Sequence, residues 1–152
     1  MKIALACDHG AYEYKEMIKE YVQELGHEVE DFGTYDTSSM DYPDTVYPAA
    51  KSVAQGKSDR GIVLCTTGIG ASISANKVIG VRCALVSDTV TAKLTREHND
   101  SNILALGQGV IGQLVAKEIV RIWLATDFSK ESKHQRRIDK LCVIEEKELD
   151  ER

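Results

Sequence analysis

Gly61-Ile62-Val63-Leu64-Cys65-Thr66-Thr67-Gly68-Ile69-Gly70 is the stretch on which the fold turns. Its first half is an unbroken apolar run that ends in a Thr/Gly cluster, the pattern of a strand buried on both faces. Helical spacing resumes at once from Ala71 to Lys77. Strand passes into helix through a short glycine loop, which is the repeating unit of an α/β sheet.

The same alternation extends outward in both directions. Upstream, Lys2 to Cys7 reads as a strand, followed by a helix in which Ala11, Tyr14, Ile18, Tyr21, Val22 and Leu25 recur at three- and four-residue steps until Gly26. His27 to Phe32 reads as a second strand, Gly33 to Pro43 as a polar loop, and Thr45 to Gln55 as a helix. Downstream, Arg82 to Ser87 is a strand, Thr89 to His98 a helix, Ile103 to Leu106 a strand, and Ile111 to Leu124 a helix with a continuous apolar face. Five strands alternating with helices through short connections predict an α/β protein of three layers, a parallel sheet with helices on both faces. Lys130 to Arg152 reads as a charged helical extension whose sparse stripe of Ile138, Leu141 and Ile144/Glu145 has little to bury at home and suits a partner subunit.

The chain has 152 residues, a length expected to make a single domain over 1–152. Its net charge of −5 has the wrong sign for a phosphate backbone, so nucleic acid is not an expected partner. No apolar run approaches the ~20 residues that span a bilayer, and Asp8 comes too early for a secretory leader, so no membrane is expected and the location reads as cytoplasmic. Cys7, Cys65, Cys83 and Cys142 lie far apart with no C-x-x-C pair, so neither a zinc site nor a redox pair is indicated.

In open parallel sheets, ligands collect beyond the carboxyl ends of the strands, so the residues that follow each strand carry the functional signal. Asp8 and His9 follow the first strand; Asp8 also suits a helix cap. Cys65 ends the third strand beside Thr66-Thr67-Gly68-Ile69-Gly70, whose glycines let N–H groups turn toward an anion, with a thiol at the rim. A C-x5-R phosphatase loop needs Arg where Ala71 stands. Walker A needs a Lys where the next one is Lys77, and a dinucleotide fingerprint needs a glycine where Ile73 stands. Arg96-Glu97-His98-Asn99-Asp100 forms a polar cluster before the fifth strand, and Lys133 and Arg137 share one helical face. Cys7, Cys83 and Cys142 read as packing residues.

Moving a proton between adjacent sugar carbons requires a base near neutral pH, donors for an enediolate, a group that opens the ring and an anchor for the remote end. Cys65 suits the base, the Thr67 hydroxyl and the N–H groups of Thr66 to Gly70 the donors, His98 or Asp8 the ring-opening step, and Arg137 with Lys133 and His9 the anchor. The set calls for no metal or redox cofactor.

Cys7-Asp8-His9-Gly10, Asp41-Tyr42-Pro43, Cys65-x-Thr67-Gly68-Ile69-Gly70, Ala75-Asn76-Lys77, Arg96-Glu97-His98-Asn99-Asp100 and His134-x-x-Arg137 together resemble type B ribose-5-phosphate isomerases, in the wider family that includes galactose-6-phosphate isomerase subunits. The likeness runs from Lys2 to about Glu146. It implies a Rossmann-like sandwich, a dimer or tetramer with active sites shared between subunits, and interconversion of ribose 5-phosphate and ribulose 5-phosphate. By that resemblance Cys65 is the base, His98 opens the ring, and Thr66, Thr67, Gly68, Ile69 and Gly70 hold the enediolate. Asp8, His9, Tyr42, Asn99 and Arg137 are the implied sugar and phosphate contacts. Three positions depart from the family pattern: Thr66 replaces a glycine, Gly109 replaces a phosphate-binding Arg, and Lys133 replaces an Arg. These changes thin the anchor and open two alternatives, an isomerase of another sugar phosphate or free sugar, and a non-catalytic binding module.

Overall fold

The computed structural model describes residues 1–152. Strands β1 (Lys2–Cys7), β2 (Glu28–Asp31), β3 (Arg60–Cys65), β4 (Cys83–Leu85) and β5 (Ile103–Gly107) form one parallel sheet in the order β2-β1-β3-β5-β4. Six helices connect and cover them: α1 (Tyr12–Glu24), α2 (Pro43–Ala54), α3 (Ile69–Ala75), α4 (Thr89–Asn99), α5 (Gln113–Ala125) and α6 (Ser132–Asp150). The expected α/β architecture is what forms.

The two faces of the sheet bury different side chains. Ile3, Leu5, Ile62, Leu64, Leu104 and Leu106 point toward α1 and α5, where fully buried Trp123 fills the center of the larger core. On the other face Ala4, Ala6, Val63 and Ala105 meet Val46, Ala49 and Ala50 of α2 and Ala71 and Ala75 of α3. Small side chains on that face let α2 and α3 lie close to the sheet, and they bring the start of α3 down onto the strand ends.

From β1 the chain moves one way to β2 and then the other way to β3, so the connection reverses between β1 and β3. Their carboxyl ends, Cys7-Asp8-His9 and Cys65-Thr66, flank that reversal, the place where α/β sheets open a crevice for ligands.

Element ends shift for local reasons. Helix α2 begins at Pro43, whose missing N–H costs nothing at a first turn. Strand β4 is shorter than the predicted Arg82 to Ser87, because Asp88 caps α4 by accepting from Thr91 N at 2.7 Å and turns the chain out of the ladder. Helix α5 starts at Gln113, since the N–H groups of Val110 and Ile111 both close a turn onto the Gly107 carbonyl. Helix α6 does find partners at home: Ile138 is buried, and the Gly80 N–H donates to Glu145 at 3.1 Å. Its Leu141, Val143, Ile144 and Leu149 remain exposed.

Candidate active site

Cys65 ends β3 with a 5 % exposed side chain, and its Sγ accepts the Gly68 N–H at 3.1 Å. Gly68 adopts φ +77°, and a Cβ there would lie 2.6 Å from Leu85 Cδ1 and 2.8 Å from the Leu106 carbonyl carbon, so only glycine fits. The Ile69 N–H donates to Thr67 Oγ1 at 3.2 Å, which leaves the Thr67 hydroxyl proton free for an outside acceptor.

Those two bonds narrow the expected donor set, in which the N–H groups of Thr66, Thr67 and Gly70 stay unpaired. The N–H groups of Gly68 and Ile69 are spent inside the loop on Cys65 and Thr67. The first-turn N–H groups left without a carbonyl are those of Gly70 and Ala71, and Ala71 was not among the expected residues. Tyr42 covers this spot: a Cβ on Gly70 would stand 2.7 Å from the Tyr42 ring.

At the end of β1, Asp8 is buried and caps the following turn, its Oδ1 accepting from Gly10 N at 3.0 Å. Its Oδ2 bonds to nothing in the chain. His9 Nδ1 accepts the Met40 N–H at 3.2 Å, so a neutral ring carries its proton on Nε2, which is exposed and can donate to a ligand. The loop that supplies Met40 and Tyr42 is pinned by Lys15. This fully buried ammonium contacts both Asp31 carboxylate oxygens at 3.0 and 2.9 Å and the Thr34 carbonyl at 2.6 Å. Burial alone lowers a lysine's pKa, but Asp31 and Glu16 outweigh it and hold the Lys15 pKa above its ordinary value. Thr34 N in turn donates to the Cys7 carbonyl at 2.9 Å, which ties the loop to the residue before Asp8.

His98 and Asn99 are far from this cluster. Helix α4 runs back along the sheet for 11 residues, about 16 Å at 1.5 Å per residue, and delivers both residues to the opposite, amino end of the strands. There Arg82, just before β4, donates to the Asn99 carbonyl at 3.0 Å, and buried Arg96 fixes the turn through the Ser101 and Thr126 carbonyls. His98 stacks on His134 of α6 with ring centroids 4.3 Å apart and planes 18° from parallel. Burial, then the neighboring His98, lowers the His134 pKa. Lys133 and Arg137 are exposed beside it on α6, and Arg137 pairs with no carboxylate.

The structure therefore separates the expected residues into two sets. Asp8, His9, Tyr42, Cys65, Thr66, Thr67, Gly68, Ile69 and Gly70 lie at the carboxyl end of the sheet. His98, Asn99, Lys133 and Arg137 lie at the amino end. The expected anchor of His9 with Lys133 and Arg137 does not form within one chain, and neither does contact of His98 with Cys65.

The remaining cysteines divide as well. Burial pushes the Cys7 and Cys83 thiols up to about 12, which keeps both protonated at neutral pH. Cys142 is exposed on α6, which corrects its assignment to packing. No helix is long and apolar enough to cross a membrane.

The burial of Lys15 and the pairing of His134 with His98 escaped the sequence reading. Lys15 shares one helical face with Ala11, Ile18 and Val22, so a lysine in an apolar stripe was the available signal. His134 stood in a basic segment, and nothing local marked it as the partner of His98.

A family model described as Ribose/Galactose Isomerase matches residues 3–141. The chain is 53 % identical over 150 residues to YwlF of Bacillus subtilis, a protein whose name assigns it provisionally to sugar phosphate isomerases, covering 98 % of this chain and 100 % of that one. Among solved structures, ribose-5-phosphate isomerase B of Clostridium thermocellum is 46 % identical with TM-score 0.95, covering 97 % of this chain and 99 % of that one. The enzyme of the same name from Mycoplasma genitalium, solved with bound ribulose-5-phosphate, is 36 % identical with TM-score 0.91, covering 95 % and 96 %.

Proposed function

The chain belongs to the ribose/galactose isomerase family, and from that premise we propose that it interconverts ribose 5-phosphate and ribulose 5-phosphate through a cis-enediolate. The observation that carries this reading is the Cys65 sulfur beside the free Thr67 hydroxyl and the unpaired N–H groups of Gly70 and Ala71, at the reversal of the sheet.

Each group has a place in the proton transfer. The Cys65 thiolate removes the proton from C2 of the open aldose, and the electrons move through the new C1–C2 double bond onto O1. The Thr67 hydroxyl and the Gly70 and Ala71 N–H groups face the developing negative charge. The Cys65 thiol then returns its proton to C1, while the O2 proton passes to O1, leaving a ketone at C2. Atoms and electrons balance without an outside oxidant or reductant.

His98 and the Lys133 and Arg137 part of the anchor are absent from the carboxyl end of one subunit, where Asp8 remains the other candidate for the ring step. A twofold dimer supplies both by laying the amino end of one sheet against the carboxyl end of the other, because an isologous interface repeats each contact twice. His98 of the partner subunit then opens the ring. Arg137 and Lys133 of the partner subunit join His9 on the phosphate. Exposed Ile69, Ile73, Leu85, Val90 and Val110 sit beside the Cys65 loop and on α4, an apolar surface of the kind such an interface buries.

The test is kcat/KM for ribose 5-phosphate with the Cys65→Ala protein as blank. A Cys65-dependent value above about 10⁴ M⁻¹s⁻¹ supports ribose 5-phosphate as the substrate. Cys65-dependent turnover many-fold lower moves the substrate to another sugar phosphate, and no Cys65-dependent turnover on any sugar phosphate sinks the isomerase reading.

A further inference from the structure

One side chain fills the gap between the carboxyl ends of β1 and β5. A Cβ on Gly10 would stand 2.1 Å from Thr66 Oγ1, and a Cβ on Gly109 would stand 3.2 Å from Thr66 Cγ2 and 3.1 Å from the Thr66 carbonyl oxygen. The Gly109 N–H also donates to that carbonyl at 2.8 Å. Neither glycine has a positive φ, so backbone conformation does not call for glycine at either position; the Thr66 hydroxyl does at Gly10, and at Gly109 the Thr66 carbonyl oxygen and Cγ2 leave a Cβ tight space. Thr66 is nevertheless exposed on its outer side, and its hydroxyl makes no hydrogen bond within the chain.

Its place in the site gives that wedge a meaning. Thr66 follows Cys65, where the reacting carbons sit, and its Oγ1 is against Gly10, the neighbor of His9, where the phosphate sits. The carbons joining the two ends of the substrate therefore pass over Thr66. We infer that Thr66 is a specificity-determining residue, a spacer that sets how many carbons fit between the Cys65 thiol and the His9 anchor.

This inference rests on the isomerase reading and on the roles of Cys65 and His9 within it. It has a stereochemical consequence. Replacing Thr66 by glycine removes Cβ, Oγ1 and Cγ2. A hexose 6-phosphate exceeds a pentose 5-phosphate by one carbon and its hydroxyl oxygen, so the emptied space is enough for the longer sugar. Shape selection of about one methylene is worth roughly 10–200-fold in kcat/KM.

The experiment measures kcat/KM for ribose 5-phosphate and for allose 6-phosphate, its ribo-configured hexose counterpart, on the wild type, Thr66→Gly and Thr66→Ser, with Cys65→Ala as blank. The expected result is a rise of about tenfold or more in the allose-to-ribose ratio for Thr66→Gly, with Thr66→Ser between the two. The ratio is taken on one protein sample, so partial misfolding cancels. Ratios unchanged within about threefold in both Thr66 variants overturn the spacer role. Absence of any Cys65-dependent turnover in the wild type is a different failure, which removes the isomerase reading and this inference with it.

Discussion

The two ends of the sheet are built by different physics. At the carboxyl end the chemistry is mostly main chain: a sulfur held by the Gly68 N–H, spare N–H groups in the loop and the first turn of α3, and a loop that tolerates only glycine at 68. At the amino end it is side chains on helix surfaces, with His98 on α4 stacked against His134 on α6 and Arg137 free beside them. A main-chain site is rigid by construction and is written into a few consecutive residues. A helix-surface site depends on how two helices dock, and in the proposed dimer it is completed when another subunit brings it to the thiol.

The largest effect should come from breaking the carboxyl end. Cys65→Ala is expected to lower kcat by about 10²–10⁴ while KM changes little, because the base acts in the transition state and does not hold the ground state. A variant retaining more than about a tenth of kcat excludes Cys65 as the base. Mixing Cys65→Ala with His98→Asn then tests whether the two ends cooperate across subunits. Random reassociation makes half the dimers mixed, each with one intact site of two, so activity should return to about a quarter of wild type. Additive, near-zero activity after verified subunit exchange breaks the shared-site arrangement.

Much of this was legible in the sequence, and what was not has a physical reason. Strands and helices followed from apolar runs and helical spacing, and Cys65, Thr67 and Asp8 followed from their places after strands. The strand order was not legible, because it is set by which face each crossover helix packs on, a non-local choice. The separation of His98 from Cys65 required only the direction of α4, which strand–helix alternation already implies. That the loop consumes the Gly68 and Ile69 N–H groups while the Ala71 N–H stays unpaired was hidden, a matter of backbone geometry that residue types do not record.

Lys15→Met separates the stability of the carboxyl end from that of the rest. Removing one partner of a buried pair leaves Asp31 only half-buried Lys19 and the Gly33 N–H, at a cost of about 3–5 kcal/mol. Urea unfolding should report that loss. At temperatures where the variant stays folded, KM should rise more than kcat falls, since the loop carrying Met40 and Tyr42 loses its clasp on Thr34. Equal stability in the two proteins sinks the clasp. His98→Asn gives a smaller, substrate-dependent effect: turnover of a furanose-forming aldose should fall about tenfold more than turnover of an open-chain ketose, a fraction of a full general acid–base contribution. Equal losses on both show that His98 does not open rings.

The smallest effect belongs to the amino end alone and concerns His134. Burial and His98 lower its pKa in the folded chain, with Lys133 and Arg137 acting in the same direction and Glu131 opposing them. An unfolded histidine keeps its ordinary value of 6.5, so between the two values the unfolded chain binds more protons than the folded one. Stability is therefore full above pH 6.5 and declines as pH falls through that value, until the folded ring also protonates. His27, lowered by burial, the amino terminus and Arg60, adds a decline of the same sign. Asp31 does not obscure that window. Burial raises its pKa, but Lys15, Gly33 N–H and Lys19 together hold it below its ordinary 3.8, so its contribution is lost only in stronger acid. His134→Gln should accordingly flatten, without abolishing, the fall in Tm between about pH 7 and pH 5.5, leaving the part due to His27. An unchanged slope means that the stacked pair is no more costly to protonate folded than unfolded. The amino end would then be a solvated helix surface, and the contrast between the two ends of the sheet would rest on geometry alone.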